Sequence, residues 1–82
     1  MATYFISYDL RNRRDYKTLQ EELDTFGAVM ILESLYCFKR NNTTTTNLRD
    51  HFKKFIDKDD GIIVSEINGW ASFNTNSTPK DL

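Results

Sequence analysis

Eighty-two residues with a net charge of −1 and 39% hydrophobic side chains make one small folded domain, and they exclude a disordered or multidomain chain. The 11 basic residues against 12 acidic ones create no global field toward nucleic acid or membrane, so any such attraction must come from local clustering. The single cysteine, Cys37, excludes an internal disulfide and a cysteine-based zinc site.

No apolar run approaches the roughly 20 residues of a membrane span, and the N-terminus carries no secretory signal. The chain is therefore expected to be soluble, cytoplasmic and without a membrane partner. A domain this short buries only about 60–65% of its unfolded surface, so its core is thin and self-association would stabilise it.

From Thr3 to Asp9 the chain is rich in aromatic and β-branched residues, which suit a pleated, half-buried strand. Alternation assigns Tyr4, Ile6 and Tyr8 to one face and Phe5, Ser7 and Asp9 to the other. The strand closes on a carboxylate and runs into three arginines, Arg11, Arg13 and Arg14. Asp15 stands where a helix N-cap belongs. Tyr16, Leu19, Leu23 and Phe26 then recur at spacings of three and four, one helical stripe that Gly27 stops.

Ala28 to Arg40 is too long and too β-prone for one ordinary strand, so two strands are expected, broken near Glu33–Ser34 by a tight turn or bulge. The polar "NNTTTTN" reads as a mobile loop. Asn47 or Thr46 is expected to cap a second helix with Leu48, Phe52, Phe55 and Ile56 inward. "DKDDG" ends that helix and "IIVSEI" is another strand. After Asn68–Gly69, "WASF" reads as a short C-terminal strand ahead of a polar tail over residues 75–82, with residues 1–74 forming the domain.

The order βαββαβ, with the short fifth strand, folds most simply into an α+β ferredoxin-like sandwich, two helices on one face of a four-stranded antiparallel sheet. The first and third strands are expected to lie side by side and parallel. That would bring Lys39 and Arg40 to the same edge as Asp9, Arg11, Arg13 and Arg14. The sheet face without helices would carry Phe5, Ser7 and Asp9. Trp70 and Phe73 fit poorly into so small a core. A homodimer is therefore expected through that face, with Phe5, Trp70 and Phe73 in the interface and "WASF" pairing against a partner's sheet edge. The alternative is that Trp70 and Phe73 fold back on their own sheet.

Such a dimer would bring Asp9 near its symmetry mate. Two carboxylates about 5 Å apart repel by roughly 3 kcal/mol at an effective dielectric near 20. A shared proton, nearby arginines or a divalent cation relieves that repulsion. Magnesium or manganese suits oxygen ligands with open positions, and either ion can orient a phosphate and activate water.

The other polar and aromatic residues have plainer readings. Asp9 as a turn-former, Ser7 as a small sheet residue and the arginine run as a solvated loop are the bland alternatives. Tyr4, Tyr8, Tyr36 and Phe38 are expected in the core rather than stacked on bases. His51 is expected as peripheral packing, Cys37 as a buried small hydrophobe, and Lys53, Lys54 and Lys58 as solubilising charges.

The strand "YFISYDL" ending in Asp, the helix ending "FGA", then "ESLYCF" and "IDKDDGIIVSEI" resemble the small CRISPR-adaptation nucleases of the Cas-two family. The resemblance extends to their VapD-like relatives and is nearest to stand-alone SinR-like members. It covers about residues 2 to 67, and its one specific element is the strand-end Asp.

The resemblance implies a ferredoxin-like homodimer whose last strand crosses to the partner. It also implies a metal between two strand-end aspartates, and single-stranded RNA or double-stranded DNA as substrate in active members. Asp9 matches the metal-binding Asp, and Ser34 matches a position that often begins the third strand. The "NNTTTT" loop departs from the pattern. The expected function is a Mg- or Mn-dependent endonuclease acting on RNA, with Asp9 and Ser7 at the catalytic site and Arg11, Arg13, Arg14, Lys39 and Arg40 on the phosphate backbone. The alternative is a non-catalytic dimeric module that binds nucleic acid or a protein partner in a defence, toxin–antitoxin or counter-defence system.

Overall fold

Tyr4, Ile6 and Tyr8 are buried while Phe5, Ser7 and Asp9 are half-buried or exposed, so β1 (Ala2–Asp9) obeys the period of two. It is followed by α1 (Tyr16–Thr25), β2 (Val29–Leu32), β3 (Leu35–Arg40), α2 (Thr45–Phe52) and β4 (Gly61–Ile67). Single 3₁₀ turns lie at Lys53–Phe55 and Pro79–Asp81. The computed structural model describes residues 1–11 and 16–82; the expected cap Asp15 and the candidates Arg13 and Arg14 lie outside the described residues.

The sheet order is β2-β3-β1-β4 and every neighbouring pair is antiparallel, which is the ferredoxin-like arrangement. The expected parallel pairing of the first and third strands is not what forms. The crossover through α1 leaves β2 running in the direction of β1. The tight β2–β3 turn then reverses the chain, so β3 must oppose β1. In that register Ala2 faces Arg40 and Ser7 faces Leu35.

The core lies between the sheet and both helices. Tyr4, Ile6 and Tyr8 of β1 and Tyr36 and Phe38 of β3 pack against Leu19 and Leu23 of α1 and Leu48 and Phe52 of α2. Phe38 stacks near Tyr4, and Phe26, Phe38 and Phe52 meet at ring separations of 5.0–5.8 Å. The expected aromatic core is thus observed. Phe55 and Ile56 pack against it from the end of the second helix.

α1 ends in a Schellman turn. Ala28 N–H donates to the Leu23 carbonyl and Gly27 N–H to that of Asp24, with Gly27 at φ +66° where a side chain would strain the backbone. β2 and β3 break at Glu33–Ser34 as expected, with Ser34 in the left-handed region and a register shift between Met30 and Leu32.

Two further expectations are corrected. α2 starts at Thr45 and is capped by Thr44, whose Oγ1 accepts from Asn47 N–H at 3.1 Å, so the last four residues of "NNTTTTN" are helix and cap rather than loop. Residues 70–73 form no strand within the chain. They leave the end of β4 after Asn68–Gly69 and run toward β2 at the opposite edge, with no sheet edge to follow. The polar tail is docked: Asn76 N–H donates to the Ile31 carbonyl at 2.8 Å, and Pro79–Asp81 packs on β2.

Candidate functional site

Asp9 ends β1 opposite Gly61, the first residue of β4. Its carboxylate is exposed on the sheet face that the helices leave open. Oδ2 accepts from Nε of Arg11 at 3.0 Å. Arg11 is itself held by the loop before β4. Its N–H donates to Oδ1 of Asp60 at 2.6 Å, and its Nη1 reaches the Asp59 carbonyl at 3.4 Å. Oδ2 of Asp60 accepts from Asp57 N–H, closing the loop on itself. Gly61 leaves room for the guanidinium to lie against the backbone, since a Cβ there would be 2.9 Å from Nη2 of Arg11.

Ser7, Tyr8, Asp9, Arg11 and Gly61 line a shallow open depression of about 250 Å³ with Ile62 and Ile63. Ser7 shares the face of Asp9, as the alternation requires. Burial, and then the neighbouring charge of Tyr36, push the Tyr8 phenol up to about 12, so Tyr8 holds its proton at neutral pH and cannot serve as a base.

Asp57, Asp59 and Asp60 were legible only as turn residues. Their part in fixing Arg11 depends on β4 running antiparallel to β1, which sets the start of one strand beside the end of the other. Three acids just before the last strand were the available signal.

Lys39 and Arg40 do not join this group. Lys39 faces Thr3 and Arg40 faces Ala2, so they lie about 20 Å from Asp9 along β1 at the rise of an antiparallel strand. Arg40 has a structural task there. Its guanidinium sits 3.9 Å over the Phe26 ring, and Nη1 donates to the Phe26 carbonyl. The expected convergence of cations on Asp9 therefore fails for the third-strand pair.

His51 is placed on the helix side, bonded to Glu22 and ringed by Phe26, Phe52 and Phe55, which is the packing role expected. Phe5 is half-buried, while Trp70 and Phe73 are exposed, Phe73 at 85%.

A hard divalent cation takes six or more oxygen ligands, several of which water can supply. Among the described residues no group of three His, Cys, Asp or Glu side chains is arranged to hold a metal ion. Here the Asp9 carboxylate is already paired with Arg11, and the Asp60 carboxylate accepts from the backbone N–H groups of Arg11 and Asp57. The donor set of one chain alone does not fit a metal site.

The family model for CRISPR associated protein Cas2 matches residues 1–75. The chain belongs to the Cas2 family. The match spans every strand and both helices, so the Cas2 assignment covers Asp9, Arg11 and the Asp57–Asp60 loop together. No helix among the described residues is long and apolar enough to cross a membrane.

Proposed function

We propose that this Cas2-family chain works as a homodimer with a CRISPR-associated, nuclease-type role, acting as an endonuclease on RNA. The observation that carries the reading is an exposed strand-end carboxylate and a guanidinium 3.0 Å apart on an open sheet face. A phosphodiester under attack needs both kinds of group: an acid that holds a cation or a proton, and a positive charge beside the developing negative one.

In the dimer, Asp9 of each chain would supply one carboxylate, and the pair would hold magnesium or manganese, which would orient the phosphate and activate water. Arg11 lets go of Asp9 and grips the phosphate backbone, while its N–H stays on Asp60. Ser7 hydrogen-bonds the water on the same face. Phe5, Trp70 and Phe73 supply apolar area for the dimer contact.

A second reading rests on a specific observation. The Arg11 ion pair already neutralises Asp9, which suits a non-catalytic dimeric module that binds nucleic acid or a protein partner.

Asp9→Asn separates the two. The side chain is exposed, so the fold is kept. Cleavage of single-stranded RNA in magnesium or manganese is expected to fall at least about 100-fold, the size of removing one member of a catalytic group. Full activity in Asp9→Asn would dismiss Asp9 as the metal ligand. No cleavage by either protein, with binding retained in both, would support the binding module.

A further inference from the structure

We propose that the C-terminal segment, residues 74–82, is an intramolecular strap that closes over the β2–β3 half of the open sheet face and competes there with a second copy of this chain. The competition rests on the dimer proposed above; the strap itself does not.

Cys37 faces away from the helices. It lies between Tyr36 and Phe38, both in the helix-side core, and it pairs across to Phe5. On an uncovered sheet face it would be wet. It is 0% exposed, and Ile31 of β2 is 4% exposed, though neither belongs to the helix-side core. Something covers them, and the chain after β4 is what can reach.

β4 and β2 are opposite edges of the sheet, about 14 Å apart at ordinary strand spacing. Eight residues, 68 to 75, can span up to roughly 27 Å, so the segment crosses the width with slack. Asn74, at φ +56°, turns it, and Asn76 N–H then takes the Ile31 carbonyl.

Beyond that bond the strap is built rather than trailing. Thr78 and Asp81 form a reciprocal capping box: Oγ1 of Thr78 accepts from Lys80 N–H, and a carboxylate oxygen of Asp81 accepts from Thr78 N–H. Burial, and then the charge of Asp81, push the Cys37 thiol up to about 11.

Size makes the competition consequential. Four strands about 20 Å long offer a face of roughly 400 Å² in projection. A stable interface buries about 800 Å² on each partner, so even the whole face needs the segment that carries Phe73 to reach that size. With the β2–β3 half covered, the rest of the face, Phe5, Ser7, Ile63 and Ser65, is too small to hold a partner without help. Opening the strap uncovers Ile31 and Cys37 and frees the segment that carries Phe73. Strap-closed is the monomer and strap-open is the form that pairs.

The test uses two full-length variants, Thr78→Ala with Asp81→Ala, and Asn76→Pro. The second keeps the Asp81 carboxylate in the chain, so faster labelling there reports the strap leaving Cys37 rather than deletion of a charge. Cys37 is labelled with a maleimide near neutral pH, well below the urea unfolding transition, and self-association is followed by sedimentation. Labelling is expected to quicken and the dimer to tighten by about five- to tenfold, the size of losing a cap. Unchanged labelling in both variants overturns the strap. Faster labelling with an unchanged dimer constant overturns the competition. A monomer at every concentration in every variant overturns the dimer reading itself, and faster labelling there would leave the cover standing.

Discussion

A methyl group on Gly61 would lie 2.9 Å from Nη2 of Arg11, with no backbone in the way, so the flexible guanidinium is what must yield. Gly61 does not have the positive φ of Gly27, so alanine fits its backbone without strain. Gly61→Ala is therefore a selective means of lifting Arg11 off Asp9. Both side chains are largely exposed, and a pair of that kind is worth about 0.2–1 kcal/mol. Stability in urea is expected to change by less than about 1 kcal/mol, while the Arg11 Nε–H resonance moves. If the dimer binds a cation through Asp9, manganese affinity read by electron paramagnetic resonance rises several-fold, because a competing cation has left the carboxylate. An unmoved resonance would show that Arg11 keeps its place by another route. At this scale Asp9 was legible from its position at the end of an alternating run. The Asp60 contact was not, because nothing in "DKDD" distinguishes a turn-former from a side chain that holds a distant backbone N–H.

Among the elements, α2 shows how several equivalent signals blur one boundary. Thr44, Thr45, Thr46 and Asn47 are all competent caps, and sequence alone pointed to the later two. Packing decides the matter. Starting at Thr45 gives two full turns and sets Leu48 and Phe52 on one inward stripe, whereas a start after Asn47 leaves a helix too short to hold that stripe. Thr44→Ala is expected to cost about 1 kcal/mol in urea unfolding, and Thr46→Ala close to nothing, since alanine is the better helix former inside the helix. A larger loss at Thr46 would contradict the observed cap. α1, by contrast, was legible end to end over its described residues, since its stripe and its stop at Gly27 are both local. The parallel pairing was misread because strand direction is a property of the whole path through α1 and the β2–β3 turn. The docked tail was missed for a related reason. It is anchored by one backbone bond and a capping box in a polar stretch with no periodicity to read.

Among the described residues, two groups of charges lie at opposite ends of β1. The Asp9 end holds Arg11 among Asp9, Asp57, Asp59 and Asp60, and the other end holds Lys39 and Arg40, about 20 Å away. With a net charge of −1, nucleic-acid binding depends on which of these ends meets the phosphates. For single-stranded RNA the log of the affinity falls with log salt by about 0.7 for each phosphate neutralised. If the Asp9 end is the binding surface, Arg11→Gln lowers that slope by about 0.7 per chain and weakens binding most at low salt. Lys39→Gln should then leave both the slope and the affinity for a short oligonucleotide as they were. Arg40 is a poor probe of the same question, because its guanidinium also covers Phe26 and a loss there mixes packing with charge. Equal slope losses for Arg11→Gln and Lys39→Gln would mean that one strand of RNA touches both ends. Only an assembly that sets the Lys39 end of one chain beside the Asp9 end of another allows that for a short oligonucleotide. Measuring both slopes against protein concentration therefore locates the binding surface and reports how the two chains are arranged.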